Sequence, residues 1–244
     1  MPGFLAVLNN AFPLPTLLAH LPRVDNITAA FNVYVVPSAE GIGVLIPTLA
    51  KKPYHVDFAT QQMLYRSAKA MQQHELIVRA CKIKSLDQPC RVLDATAGFG
   101  RDAFILAASG FNVCLIERHP VVTILLEQGI ARIADDEIKT RLTLLHADSQ
   151  AYLKKLAATN DKPEIVYLDP MFAIKRHAKV KKELQILQLL CDTPDDGQDL
   201  LPLALQAAGK RVVVKRAIDA SPLNECKPAF HFSGKQTRFD VYLP

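Results

Sequence analysis

From residue 90 onward the sequence repeats one unit: a short apolar run, a polar or glycine-bearing loop, then a stretch with helical spacing. The apolar runs are 91–94, 113–117, 142–146, 164–168 and 211–215, and 238–243 closes the chain. Runs this short, bounded by turn residues, suit strands buried on both faces. The intervening stretches place Ala103, Phe104 and Ala107, then Val122, Leu126, Ile130 and Ile133, on single helical faces. Pro120 sits where a first helical residue belongs, Gly110 ends one helix, and Ser149 is the expected N-cap of the helix bearing Leu153 and Leu156. Val180, Leu184, Leu187 and Cys191 mark a further long helix. Such alternation predicts an α/β fold, a mostly parallel sheet with helices on both faces. Ligands of these sheets collect beyond the carboxyl ends of the strands, so polar residues there are the candidates for a site.

The first 89 residues follow a different grammar. Seven of the sixteen prolines lie within the first 53 positions. Residues 31–36 and 41–46 read as two short strands joined by turn chemistry, and 57–81 as a helix with Leu64, Ala68 and Met71 on one stripe. The expected division is therefore 1–89, a small α+β extension, and 90–244, the main domain. The apolar N-terminus lacks a basic leader and is interrupted by prolines, no run is long enough to span a membrane, and a cytoplasmic protein is expected. The five cysteines are scattered without a C-x-x-C pair, so neither a metal site nor a disulfide framework is expected. A formal net charge of +5 permits an acidic partner without requiring one.

The strand ends carry the chemistry. After the first strand comes Asp94-Ala-Thr-Ala-Gly98-Phe-Gly100-Arg101-Asp102, where two glycines allow a sharp turn and close backbone approach to a ligand at a helix N-terminus. Glu117 ends the second strand, where a carboxylate can accept both hydroxyls of a ribose. At the end of the third, Asp148 can hold an adenine amine, with Ser149 capping its helix. Three successive carboxylates describe a nucleoside pocket. Asp169-Pro170-Met171-Phe172 ends the fourth strand. The Asp169 carboxylate and the Pro170 carbonyl can converge on the two hydrogens of an exocyclic amine. Phe172 offers a stacking face, worth roughly 1–3 kcal/mol per base in comparable contacts. Lys175, Arg176, Lys179, Lys181 and Lys182 follow at once, and Lys215 and Arg216 end the fifth strand, all placed to meet phosphates of a nucleic acid.

At these residues the sequence resembles class I S-adenosylmethionine-dependent methyltransferases, and Asp169-Pro170-Met171-Phe172 resembles the motif of enzymes that methylate exocyclic amines. The set is similar to the RsmJ-type ribosomal RNA small-subunit guanine-N2 methyltransferases. It rests on the run from Asp94 to Phe104, Glu117 and Arg118, the run from Tyr167 to Phe172, Lys181 to Glu183, Arg211 to Arg216 and Arg238 to Tyr242. Upstream the likeness thins to Val56-Asp57-Phe58, Tyr65-Arg66 and Glu75, and Lys69 to His74 stand where the family tends to be glycine-rich.

The resemblance implies a Rossmann-like methyltransferase fold over 90–244, S-adenosylmethionine as cofactor, and 16S rRNA or the small ribosomal subunit particle as partner, with RNA contacts in the extension. It carries the cofactor contacts to Arg101 and Asp102, Glu117 and Arg118, Asp148 and Ser149, and Asp169, beside Asp94, Gly98 and Gly100 of the loop. The implied reaction is in-line attack by a guanine amino nitrogen on the sulfonium methyl, with Asp169 and Pro170 orienting the amine and Phe172 stacking the base. RNA contacts are expected from Lys175, Arg176, Lys179, Lys215 and Arg216. Two other readings use the same residues. Gly98, Gly100, Ala103 and Glu117 also fit an NAD-dependent oxidoreductase, and a catalytically silent RNA-binding factor would keep the pocket without the activity.

Overall fold

In the computed structural model, which describes residues 5–8, 13–28, 30–83, 90–170, 182–191 and 199–244, the chain opens with four short strands. These are β1 (Leu5–Leu8), β2 (Arg23–Val24), β3 (Val33–Ser38) and β4 (Gly41–Leu45), followed by helices α1 (Gln61–Met71) and α2 (Leu76–Cys81). The alternating region runs β5 (Arg91–Asp94), α3 (Arg101–Ala108), β6 (Asn112–Glu117), α4 (Pro120–Ala131), α5 (Asp136–Thr140), β7 (Leu142–His146), α6 (Ser149–Ala157) and β8 (Ile165–Leu168). It ends with α7 (Lys182–Leu190), α8 (Leu200–Ala207), β9 (Arg211–Ala217), β10 (Phe230–Ser233) and β11 (Thr237–Tyr242).

The expected sheet is present. Its seven strands lie in the order β10-β11-β9-β8-β5-β6-β7. β5 to β9 are mutually parallel, and β11 and β10 add an antiparallel edge. Side chains alternate between two apolar layers, as the period of a strand requires. On β8, Ile165 and Tyr167 join one layer while Val166 and Leu168 join the other. The second layer is closed by Leu153 of α6 and by Leu200, Leu201 and Ala204 of α8. The order reverses at β5, which lies between β8 and β6, so the loop after β5 opens at the switch point of the sheet.

The 31–36 and 41–46 runs form the expected antiparallel hairpin as β3 and β4, inside a second sheet ordered β2-β1-β3-β4. The helix expected over 57–81 is two helices. Thr60 caps α1 by accepting from the Met63 N–H, and Gln73 turns left-handed at φ +59° before α2 begins. Three elements gave no periodic signal. α8 is apolar on nearly every side, α5 spans five residues, and β10 lacks alternation in burial. Val180, counted with the helix of Leu184, lies outside the described residues.

The extension is bound into the main sheet. Gln128 of α4 accepts from the Ile42 N–H, and Arg132 donates to the carbonyls of Glu40 and Val56, each at 2.9 Å. α1 packs on α3, and α2 on β10 and β11. Apolar residues of both sheets share one buried cluster. Among the described residues no helix is long and apolar enough to cross a membrane.

Candidate active site

The loop after β5 turns through Gly98 and Gly100, at φ +52° and +69°. A Cβ on Gly100 would meet Leu126 Cδ1 at 2.6 Å, so the residue is required both for its backbone and for its lack of bulk. Glu117 fastens this loop. Its Oε2 accepts from the Gly98 N–H at 3.0 Å and its Oε1 from the His119 N–H at 2.7 Å. Burial raises the Glu117 carboxyl above its usual range, against the lowering effect of those backbone donors.

The β5 and β8 ends are tied together, because the backbone N–H of Asp169 donates to Thr96 Oγ1 at 2.6 Å. Asp94 is buried, and its Oδ1 accepts from the Thr96 N–H at 3.0 Å. Burial, reinforced by the nearby Asp102 and Asp169 charges, pushes its carboxyl up to about 8. Burial thus favours the protonated form of Asp94.

A charge network lies between these ends, with Asp102 buried and Lys215 and Asp169 half-buried. Lys215 Nζ is 2.7 Å from Asp102 Oδ2 and 2.7 Å from Asp169 Oδ2. Asp102 also accepts from the Tyr167 phenol at 2.8 Å and from Arg66 of α1 at 3.1 Å. Burial alone would raise Asp102 and lower Lys215, but the opposite charges outweigh it. Asp102 is held well below the usual carboxylate range and Lys215 well above the usual lysine range. Asp169 has a net upward shift: burial and Asp102 raise it, and Lys215 opposes them.

These groups face a cavity of about 730 Å³, within the ~300–1,000 Å³ of small-molecule sites. Asp94, Gly98, Arg101, Asp102, Glu117, Arg118, Asp148, Ser149, Asp169 and Pro170 all line it, so one concavity unites residues drawn from four strand ends. Gly100 shapes the loop from behind. α1 contributes Gln62, Met63 and Arg66 to the wall, which brings part of the extension into the site.

One expectation is corrected. Ser149 is not the N-cap of α6: Asp148 accepts from the Ala151 N–H at 2.9 Å, and the Ser149 hydroxyl donates to the Ala95 carbonyl. Lys215, expected among the phosphate contacts, has its half-buried ammonium between two carboxylates of the site. Arg216, also expected among the phosphate contacts, is buried on the cavity wall and donates through Nε to the Ser221 carbonyl at 3.0 Å. Arg101 reaches across to pair with Glu183 of α7. Phe172, Lys175, Arg176 and Lys179 lie outside the described residues. Sequence reasoning missed Thr96 and the structural use of Arg66 and Tyr167. All three stand inside runs that carry the family resemblance, but nothing in the spacing of Arg66 and Tyr167 announces a shared partner.

A family model described as "Putative SAM-dependent methyltransferase" matches residues 32–244. The chain is 43% identical over 199 residues to the ribosomal RNA small subunit methyltransferase J of Coxiella burnetii, covering 80% of this chain and 77% of that protein. The protein of the same name in Thioalkalivibrio sulfidiphilus is 40% identical with the same coverage. Among solved structures, a SAM-dependent methyltransferase of Neisseria gonorrhoeae superposes with a TM-score of 0.73 at 31% identity, covering 98% of this chain and 96% of that one.

Proposed function

The chain belongs to the SAM-dependent methyltransferase family and to the family of ribosomal RNA small subunit methyltransferase J; on that premise we propose that it methylates the exocyclic N2 amine of one guanosine in 16S rRNA. The observation that carries this reading is the position of Asp169 and Pro170, which end β8 on the wall of a cavity whose other strand ends present Asp94, Glu117 and Asp148. Membership of the family sets aside the nicotinamide oxidoreductase. A substrate of this kind places the protein in the cytoplasm, acting on rRNA or on the small-subunit particle.

The residues present fit S-adenosylmethionine. The cavity has the size for a nucleoside with an amino-acid arm, and its carboxylates suit a ligand bearing sulfonium and ammonium charges. Glu117 is placed to take the ribose hydroxyls and Asp148 the adenine edge, with the Gly98 turn admitting the ligand close to the backbone. When bound, the cofactor supplies an electrophilic methyl carbon with a neutral thioether as leaving group.

The chain's own residues supply position. The lone pair of a guanine amino nitrogen is delocalised into the ring. Hydrogen bonds from both amine hydrogens to Asp169 and the Pro170 carbonyl would turn that lone pair toward the methyl group. Positioning of this kind contributes up to about 7–11 kcal/mol, so no strong base is needed. Asp169 is also the nearest carboxylate able to take the proton released once the nitrogen is methylated. Phe172 is assigned the stacking face from its place in the motif. A base held in a stem would first be extruded.

The test is methyl transfer to small-subunit rRNA from cells lacking the gene, read by nucleoside mass spectrometry. Wild-type protein is expected to add N2-methylguanosine, and Asp169→Ala to lose transfer while still binding S-adenosylmethionine. Near-normal transfer by a folded D169A variant overturns the assignment of Asp169. An unchanged methylguanosine inventory with wild-type protein favours the silent RNA-binding factor.

A further inference from the structure

Three acids from three elements converge on one lysine. Asp94 ends β5, Asp102 lies in the first turn of α3, and Asp169 follows β8. Lys215 of β9 reaches two of them, at 2.7 Å each. Asp102 is saturated: Arg66 holds Oδ1, while Lys215 and Tyr167 share Oδ2. Arg66 is in turn paired with Glu75 at the start of α2. Asp169 is committed through one oxygen only. Among the described residues, its Oδ1 has no partner.

We infer that Lys215 is a positioning residue that holds Asp169 as an anion by Oδ2 and leaves Oδ1 presented to the substrate amine. The inference rests on the methyl-transfer reading of the site. Two neighbouring acids such as Asp102 and Asp169 do not both stay ionised in a sheltered site unless a cation lies between them. Lys215 is that cation, and Arg66 answers the remaining charge of Asp102. The double contact also fixes the direction of the Asp169 carboxylate, because Asp102 anchors the same ammonium. The Asp169 backbone is held independently by Thr96. Backbone and carboxylate are thus constrained from two sides, and one acceptor is left for the ligand.

Without the lysine, burial together with the Asp102 charge would favour protonated Asp169. A protonated acid no longer offers two equivalent acceptors and cannot take up the proton of the methylated amine. The loss is therefore specific to low pH and is reversed as pH rises.

The experiment compares wild type, Lys215→Gln and Lys215→Arg. The first readout needs no cofactor: the carboxyl 13C titration of Asp169, assigned by its absence in D169N. In K215Q its midpoint is expected to rise by about 1–3 pH units, the usual effect of removing an opposite charge at contact distance. The second readout is the pH profile of kcat, whose acid limb should move up by the same amount, with affinity for S-adenosylmethionine within about threefold, less than one ordinary hydrogen bond. K215R, which keeps the charge, should restore both. Should K215Q not fold, Asp102→Asn leaves Lys215 to Asp169 alone and should lower the midpoint. An unmoved midpoint in the folded variant overturns the inference, as does a loss confined to RNA affinity, which would mark a phosphate contact. If wild type transfers no methyl group to rRNA, the functional reading fails, while the Asp169 titration still judges Lys215.

Discussion

The Thr96 hydroxyl accepts a hydrogen bond from the backbone N–H of Asp169 at 2.6 Å, across 73 residues of sequence. The loop after β5 and the motif after β8 are thereby joined, and one threonine couples the proposed cofactor side of the cavity to the proposed substrate side.

Thr96→Val keeps the shape and removes that acceptor. Leaving a part-buried donor unpaired costs about 1–3 kcal/mol, or roughly a factor of ten or more in rate when it falls on a reacting geometry. T96V should therefore lower kcat by about tenfold, with affinity for S-adenosylmethionine changed far less. Single-turnover kinetics and calorimetry read the two separately. Equal losses in both would show that Thr96 serves the cofactor side only.

Gly100→Ala should destabilise the fold by more than Gly110→Ala. Both glycines have positive φ, +69° and +98°. Only at Gly100 would a Cβ also collide with a neighbour, Leu126 Cδ1 at 2.6 Å; at Gly110 nothing lies within 4 Å. Strained backbone alone costs about 1–3 kcal/mol, so G110A loses that and G100A loses more. Thermal unfolding of the two variants side by side checks the order.

Asp94 makes stability depend on pH. Its folded carboxyl is raised to about 8 from an ordinary 3.8. The folded chain then holds a proton that the unfolded chain has released, so the stabilisation is complete below about pH 4 and is lost as pH rises toward 8. Asp102 moves oppositely, and its contribution is lost only on acidification below the ordinary range. Asp94→Asn keeps the Oδ1 acceptor for Thr96 and removes the titration. Melting curves from pH 5 to 8 should fall more steeply for wild type than for D94N, with the variant the more stable at pH 8. Parallel curves would show that Asp94 is ionised throughout.

Glu117→Gln should weaken S-adenosylmethionine binding by about tenfold or more, since hydrogen bonds to a charged acceptor are worth about 1.5–3 kcal/mol. Burial raises the Glu117 carboxyl, so wild-type affinity should decline on acidification at a pH above the ordinary glutamate range. E117Q should lack that decline. Calorimetry at several pH values separates the two, and an identical acid decline in E117Q would assign it elsewhere.

Much of the main domain is legible in the chain because a strand buried on both faces must be a short apolar run, whatever lies beside it. β5, β8 and the hairpin of β3 and β4 follow from that requirement. Glu117, Asp148 and Asp169 could be singled out for a related reason: a parallel sheet brings all its carboxyl ends to one side, so successive strand-end acids must share a neighbourhood. α8 escaped because its outer face carries Pro202, Leu203 and Leu205 and only Gln206 is polar there, so nothing sets a period. The single long helix over 57–81 failed at Gln73, whose left-handed turn is unusual for a side chain that size.

Alternation of short strands and helices, the glycine turn and the Asp169-Pro170 motif were determined by the sequence itself, because each is set by neighbours a few residues away. What Lys215 does was decided only by the tertiary structure. Its partners lie 46 and 113 residues distant, on different elements. A lysine at a strand end can meet phosphate outside or carboxylate inside with the same local sequence. Burial and opposite charge decide between them, and both exist only once β8, β9 and α3 are packed together.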